Sequence, residues 1–271
     1  MNKYNGWFGE IFLASELDLN SDEFWVKVLN KTYEPDTMTF LENNISSNTD
    51  FIDIGAAKGA MSLVAASLGA RVLAFEPVPA HFNEAFNNIM LNSKIASQVD
   101  LQNKAISCQS GFLDLGPKTD PDVLSSISYS NPLEGDKFEP IEIISLSEAI
   151  DGFHREEMQL IIKIDIEGAE WKLFSRPRIL KNLQEHQALV LLAIHPGFNR
   201  PFRTKLLGIK FVSKKIWQVK NLIIAYIFFS RFFKVARITR TNLDPIKSLK
   251  KCILLMFGGY FEFILDFRQT H

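Results

Sequence analysis

From Phe51 onward the chain alternates short apolar runs with segments of helical period. "FIDIG" (51–55) reads as a buried strand, 60–68 as a helix and "RVLAFEP" (71–77) as a second strand. "AHFNEAFNNIMLNSK" (80–94) sets Phe82, Phe86, Ile89 and Met90 at helical spacing. "VDLQNKAI" (99–106) predicts a third strand, with "GFLDL" (111–115) as a hairpin partner. Residues 116–140, rich in Gly, Pro, Ser and Asp, predict a long loop of the kind that often serves as a lid. "SLSEAI" opens a helix capped by Ser145 or Ser147. "LIIKIDIEG" (160–168) and "ALVLLAIHP" (188–196) hardly alternate, as strands buried on both faces do. The rhythm breaks at 200–251, and "YFEFILDF" (260–267) predicts a closing strand. Residues 1–47 predict short helical pieces around Trp7, Phe8, Phe24, Trp25, Phe40 and Leu41. Strands alternating with helices imply an α/β fold with a parallel sheet covered on both sides.

Composition supports one large domain with a C-terminal elaboration. The chain has 271 residues, 46% of them hydrophobic, which suffices for a sizeable core. Two cysteines, Cys108 and Cys252, form no disulfide framework or metal-ligand pattern and fit a reducing, cytoplasmic setting. No apolar run reaches the roughly 18–20 residues that a membrane-spanning helix needs. The net charge of −1 conceals a strong polarity. Residues 1–199 carry 15 basic and 28 acidic side chains, whereas 200–251 carry 14 basic residues and one acid, Asp244. In 205–240, Ile209, Val212, Ile216, Val219 and Ile223 recur at helical spacing, flanked by Lys210, Lys214, Lys215 and Lys220. A basic amphipathic helix of this kind suits an anionic membrane surface or an acidic acceptor. An ordinary packed helix pair with lysines facing water explains it equally well. Nothing resembles a nucleic-acid module.

The first strand ends in D-x-G-x-x-x-G: Asp53, Gly55 and Gly59. In an open α/β sheet, ligands bind beyond the carboxyl ends of the strands, and this turn is the usual cradle. A dinucleotide site wants G-x-G-x-x-G; here no middle glycine admits a pyrophosphate. The spacing fits S-adenosylmethionine, whose methionine end needs less room. Glu76 ends the second strand, 21 residues after Gly55, where an acid can accept hydrogen bonds from ribose hydroxyls. Asp165, Glu167 and Glu170 follow the fourth strand, and His195 the fifth, at the same end of the sheet. Asp165, Glu167 or His195 there can remove a proton from a hydroxyl or orient it. Asp165 and Glu167 are also the type of ligand a divalent cation takes.

"YEPDTMTFL", "FIDIGAAKGAMSL", "VLAFEPVPAHFNEAFNNIMLN", "SCQSGFLDL" and "IIKIDIEGAEWKLF" together resemble the FkbM family of class I methyltransferases, over about residues 33–196. The resemblance implies a doubly wound, mostly parallel, Rossmann-like sheet of seven strands. It implies S-adenosyl-L-methionine as donor and O-methyl transfer to a sugar or natural-product hydroxyl. On this chain Asp53, Gly55 and Gly59 would cradle the methionine end, Glu76 the ribose, and Ala105 and Ile106 the adenine. Ala57 stands where the family commonly has Asn, and Ala193 where it often has Glu. The expected layout is an N-terminal helical segment (1–47), a cofactor-binding core (48–199), a basic helical insertion (200–259) and a closing strand (260–271). Two other readings stay open: an inactive methyltransferase-like binding protein and an NAD-linked oxidoreductase.

Overall fold

The computed structural model describes residues 1–14, 17–20, 23–113, 140–166, 170–174, 176–193, 236–238 and 262–269. The chain begins with an antiparallel hairpin, β1 (Asn2–Gly6) and β2 (Gly9–Leu13), with Asn2 opposite Leu13 and Gly6 opposite Gly9. This corrects the expectation of helix there. Ile11 and Leu13 alternate inward, the period of a half-buried strand. Asn92 clamps the hairpin from outside: it accepts from the Phe12 amide at 2.8 Å and donates to the Phe12 carbonyl at 2.9 Å. Two helices follow, α1 (Phe24–Leu29) and α2 (Pro35–Asn44).

The alternating core then runs β3 (Thr49–Ile54), α3 (Ala60–Ser67), β4 (Arg71–Phe75), α4 (Pro79–Leu91), α5 (Ser93–Ala96) and β5 (Val99–Gln102). A small side sheet comprises β6 (Ala105–Ser107), β7 (Gly111–Leu113) and β8 (Ile141–Ser145), ordered β6-β8-β7. The chain returns through α6 (Leu146–Phe153), β9 (Gln159–Ile164), α7 (Glu170–Phe174), α8 (Pro177–Glu185) and β10 (Leu189–Ala193). It closes with β11 (Ala236–Ile238), β12 (Glu262–Asp266) and a 3₁₀ turn at Phe267–Gln269.

Among the described residues the central sheet has seven strands, in the order β11-β12-β10-β9-β3-β4-β5. β5, β4, β3, β9 and β10 are parallel, and β12 lies antiparallel between β10 and β11. The chain winds from β3 outward through β4 to β5, then crosses back to β9 on the other side of β3. The switch point therefore lies between β3 and β9, where such a sheet opens a crevice at its carboxyl edge.

Both faces of the sheet are covered, which explains why the apolar runs hardly alternate. On one face Ile52, Ile54, Leu73, Phe75, Ile162 and Ile164 pack with Leu146 and Ile150 of α6 and Leu183 of α8. On the other, Phe51, Val72, Ala74 and Ile161 pack against α3 and the N-terminal elements. Ser145 caps α6, its hydroxyl accepting from the Glu148 amide at 3.2 Å. In α4 the buried residues are Ala85, Asn88 and Ile89, while Phe86 and Met90, which share helical spacing with Ile89, are exposed. The cause is tertiary: α3 begins so close to α4 that only the small Ala85 fits between them. The third strand also ends earlier than expected, at Gln102, and the chain starts a second sheet at Ala105.

Candidate cofactor site

The site is a turn built between β3 and α3 and braced from β4. Gly55 has φ +86°, and a Cβ there would lie 2.0 Å from the Asp165 carbonyl oxygen. Glycine is thus required by the chain's own backbone just past β9, not only by a ligand. The Gly55 and Ala56 amides both donate to the Phe75 carbonyl at 3.0 Å, tying the turn to the end of β4. Gly59 has φ +79°, and its missing Cβ would stand 3.2 Å from the Ala85 Cβ. Gly59 thus lets α3 pack closely on α4. Between the glycines, Ala57 also takes a left-handed φ of 48°. Asparagine tolerates that region better than alanine, which accounts for the family's preference at this position.

Glu76 locks this turn. Its carboxylate is almost fully buried and accepts from the Ala57 amide at 2.8 Å and the Val78 amide at 2.9 Å. Burial pushes its pKa up, and these two amides oppose the shift. Each carboxylate oxygen has further acceptor capacity, the kind two vicinal hydroxyls use. Asn103, which sequence reasoning missed, follows β5 and donates to the Glu76 carbonyl at 2.8 Å. It holds the loop on which Glu76 sits. The signal was the strand end itself, misplaced because "VDLQNKAI" reads as one continuous run. Of the two residues expected at the adenine, Ala105 is half-buried, and Ile106 packs into the core beneath the sheet.

Asp53 has no exposed surface, and the Ser62 hydroxyl donates to its Oδ2 at 2.7 Å. Its Oδ1 is buried and unpartnered. Burial raises the Asp53 pKa, and the nearby Lys163 ammonium opposes this. An orphaned carboxylate oxygen is costly unless something donates to it. A ligand ammonium fits that need.

Lys163 is the second residue that sequence reasoning passed over. It sits in β9 within an apolar run, its side chain 6% exposed, with Nζ 3.1 Å from Asp165 Oδ2. Burial pulls its pKa down, but Asp165, Asp53 and Glu34 together hold the ammonium above the ordinary lysine range. Asp165 itself lies just beyond β9, half-buried, its amide bonded to the Ile54 carbonyl at 3.0 Å. It therefore follows the strand end, at the switch point. Glu167 and His195 lie outside the described residues, as do the 116–139 part of the predicted loop and the amphipathic stretch 205–235. Among the described residues, no group of three or more His, Cys, Asp or Glu could hold a metal ion, so nothing in them supports the divalent cation. Nor is any described helix long and apolar enough to cross a membrane.

A doubly wound sheet with a braced glycine turn at its switch point and an acid at the next strand end defines a nucleoside-cofactor protein. The chain belongs to the FkbM methyltransferase family: the Methyltransferase FkbM domain model matches residues 53–207. Among curated proteins, no sequence matches this chain. Of solved structures, the methyltransferase FkbM from Methylobacillus flagellatus KT is 18% identical, with a TM-score of 0.39, covering 76% of this chain and 49% of that one. The chain thus spans about half the length of that protein. The geranyl diphosphate methyltransferase in complex with SAM is 9% identical, covering 94% of this chain and 95% of that one, with a TM-score of 0.40. The precorrin-6y C5,15-methyltransferase from Geobacter metallireducens GS-15 is 12% identical, covering 78% and 75%, with a TM-score of 0.33.

Proposed function

We propose that the protein is an S-adenosylmethionine-dependent methyltransferase acting on a hydroxyl of a small-molecule or glycan acceptor. The observation that carries this reading is Asp53 Oδ1, a buried acceptor with no partner beside the braced turn. Bound there, S-adenosylmethionine would supply an electrophilic methyl group. Asp53 would take its ammonium, and Glu76 its ribose hydroxyls. The Gly55–Gly59 turn would let the methionine end approach the backbone. Ala105 and the chain around it would lie on the adenine side.

The acceptor side belongs to Asp165. It stands at the carboxyl edge of the sheet beside β3, next to the Lys163 ammonium. In this reading Asp165 orients the acceptor hydroxyl and takes its proton as the oxygen attacks, with Glu167 and His195 as further candidates for that role. The basic stretch 205–240 would carry the enzyme to an anionic surface, which co-sedimentation with anionic vesicles at low and high salt checks.

Calorimetry with S-adenosylmethionine and with NAD tests the donor. Binding of the methyl donor with no measurable NAD binding is expected, and tighter binding of NAD would falsify the site. Glu76→Ala should weaken the donor by roughly tenfold or more, through loss of charge-assisted bonds. Turnover with hydroxyl acceptors then separates an enzyme from a protein that binds the donor and does nothing with it.

A further inference from the structure

Lys163 interrupts β9, whose other residues from Leu160 to Ile164 are buried and apolar. A lysine there bears a desolvation cost that an apolar residue would not, so its charge depends on partners. The sheet fixes where those partners are. Lys163 and Asp53 are register partners on the adjacent parallel strands β9 and β3. Phe51 and Ile161 pack in the cluster on the α3 side of the sheet, and Asp53 and Lys163 stand two residues further along on that same face. The Ser62 hydroxyl of α3 meets Asp53 Oδ2 there at 2.7 Å. Neighbouring strands lie about 4.8 Å apart, so the two charged side chains share one buried strip.

Lys163 nevertheless bonds elsewhere. Its Nζ donates to Asp165 Oδ2 at 3.1 Å, past the end of β9, and Asp53 Oδ1 is left buried with no partner. A lysine beside a buried carboxylate ordinarily bonds it, and so both charges it and caps it. Here Asp165 pins the ammonium to one side, where it favours the charged form of Asp53 without occupying Oδ1. Burial works against that charge. Of the described groups that act on Asp53, Lys163 favours the charged form by its own charge and Ser62 by its hydrogen bond, while Asp165, Glu34 and Glu76 oppose it. Lys58, the lysine of the glycine turn, is partly exposed and paired with Glu84 at 3.0 Å.

The inference rests on the methyl-donor reading. We propose that Lys163 is a positioning residue for donor binding: pinned on Asp165, it keeps Asp53 charged while leaving Oδ1 open to the ammonium of the donor's methionine end.

The test is calorimetry on wild type, Lys163→Gln and Lys163→Arg with two ligands. One is S-adenosylhomocysteine; the other is 5′-methylthioadenosine, which has the nucleoside and lacks the amino-acid end. At about pH 6, Lys163→Gln should raise the S-adenosylhomocysteine Kd by about tenfold and the methylthioadenosine Kd by less than about twofold. The gap should narrow as the pH rises to about 8, because the Asp53 carboxyl then ionises without help. Lys163→Arg, which keeps the charge, should stay within about threefold of wild type for both ligands. A merely structural lysine would weaken both ligands alike at every pH. Equal weakening of the two, no weakening, a gap that does not change with pH, or loss of methylthioadenosine binding in both variants overturns the inference alone. A wild type that binds neither molecule overturns the methyl-donor reading, and this inference with it.

Discussion

Asp50 and Asp53 lie three residues apart on β3, both without exposed surface, and their surroundings differ completely. At the amino end of the strand, Asp50 is saturated. Arg71 Nε donates to Oδ1 at 2.9 Å and Arg71 Nη2 to Oδ2 at 2.8 Å. The Arg155 amide adds a bond at 2.8 Å, and His154 Nδ1 lies 3.3 Å away. The Arg71 guanidinium also stacks 4.0 Å over Phe153, and His154 meets His186 edge-on at 5.4 Å. At the carboxyl end, Asp53 has the Ser62 hydroxyl and an empty-handed Oδ1. One aspartate ties β3, β4 and α6 together. The other keeps an unsatisfied oxygen, and in the proposed reading a donor group meets it. Two identical side chains at equal burial thus differ in hydrogen-bond satisfaction, which separates a saturated structural site from the proposed binding site.

Removing Asp50 should have the largest effect. Asp50→Ala leaves Arg71 with an uncompensated, partly buried charge and two further groups unpartnered. A loss of about 3–5 kcal/mol of stability is expected, read by denaturant unfolding. A loss below about 1 kcal/mol would erase the contrast from that side. Asp53→Asn should do the reverse. It keeps an acceptor for Ser62 and removes the buried charge, so stability should hold within about 1 kcal/mol or rise. Donor affinity should nevertheless fall by about tenfold, equivalent to roughly 1.4 kcal/mol, because the ammonium loses its carboxylate. Unchanged affinity would make Asp53 a merely tolerated core acid.

The smallest effect is in pH, and the two ends have opposite signs. Asp53 and Glu76 have folded pKa values raised by burial, so the folded state binds protons more readily than the unfolded one. Their contribution is lost as pH rises from the ordinary carboxylate value, about 4, through the raised values. His154 is shifted the other way: burial lowers its pKa against the pull of Asp50. Its contribution is present above the ordinary histidine value of about 6.5 and is lost as pH falls through the lowered one. Denaturant unfolding across this range should show Asp53→Asn flattening the first slope and His154→Gln flattening the second. Matching profiles for wild type and both variants would contradict the assignment.

Much of this molecule follows from residue pattern. The runs at 51–54 and 160–164, apolar except for Asp53 and Lys163, mark strands covered on both faces, and D-x-G-x-x-x-G with Glu76 one strand later marks the candidate cofactor turn. These features are local: they depend on burial period, glycine φ and spacing along one βαβ unit, and a sequence displays all three. The first 13 residues were misread because aromatic residues suit helix and strand alike, and only pairing across Gly6 and Gly9 decides between them. Which face of α4 is exposed is set by the docking of Gly59 on Ala85.

What only the tertiary structure decided is which acids are satisfied. Asp50 is saturated by groups 21, 104 and 105 residues away. Lys163 gains its task from Asp53 and Glu34, which are more than a hundred residues earlier in the chain. Burial can be read from sequence because apolar neighbours in the chain share it. Satisfaction of a buried charge cannot, because directional partners come from whatever strands and loops the fold brings together.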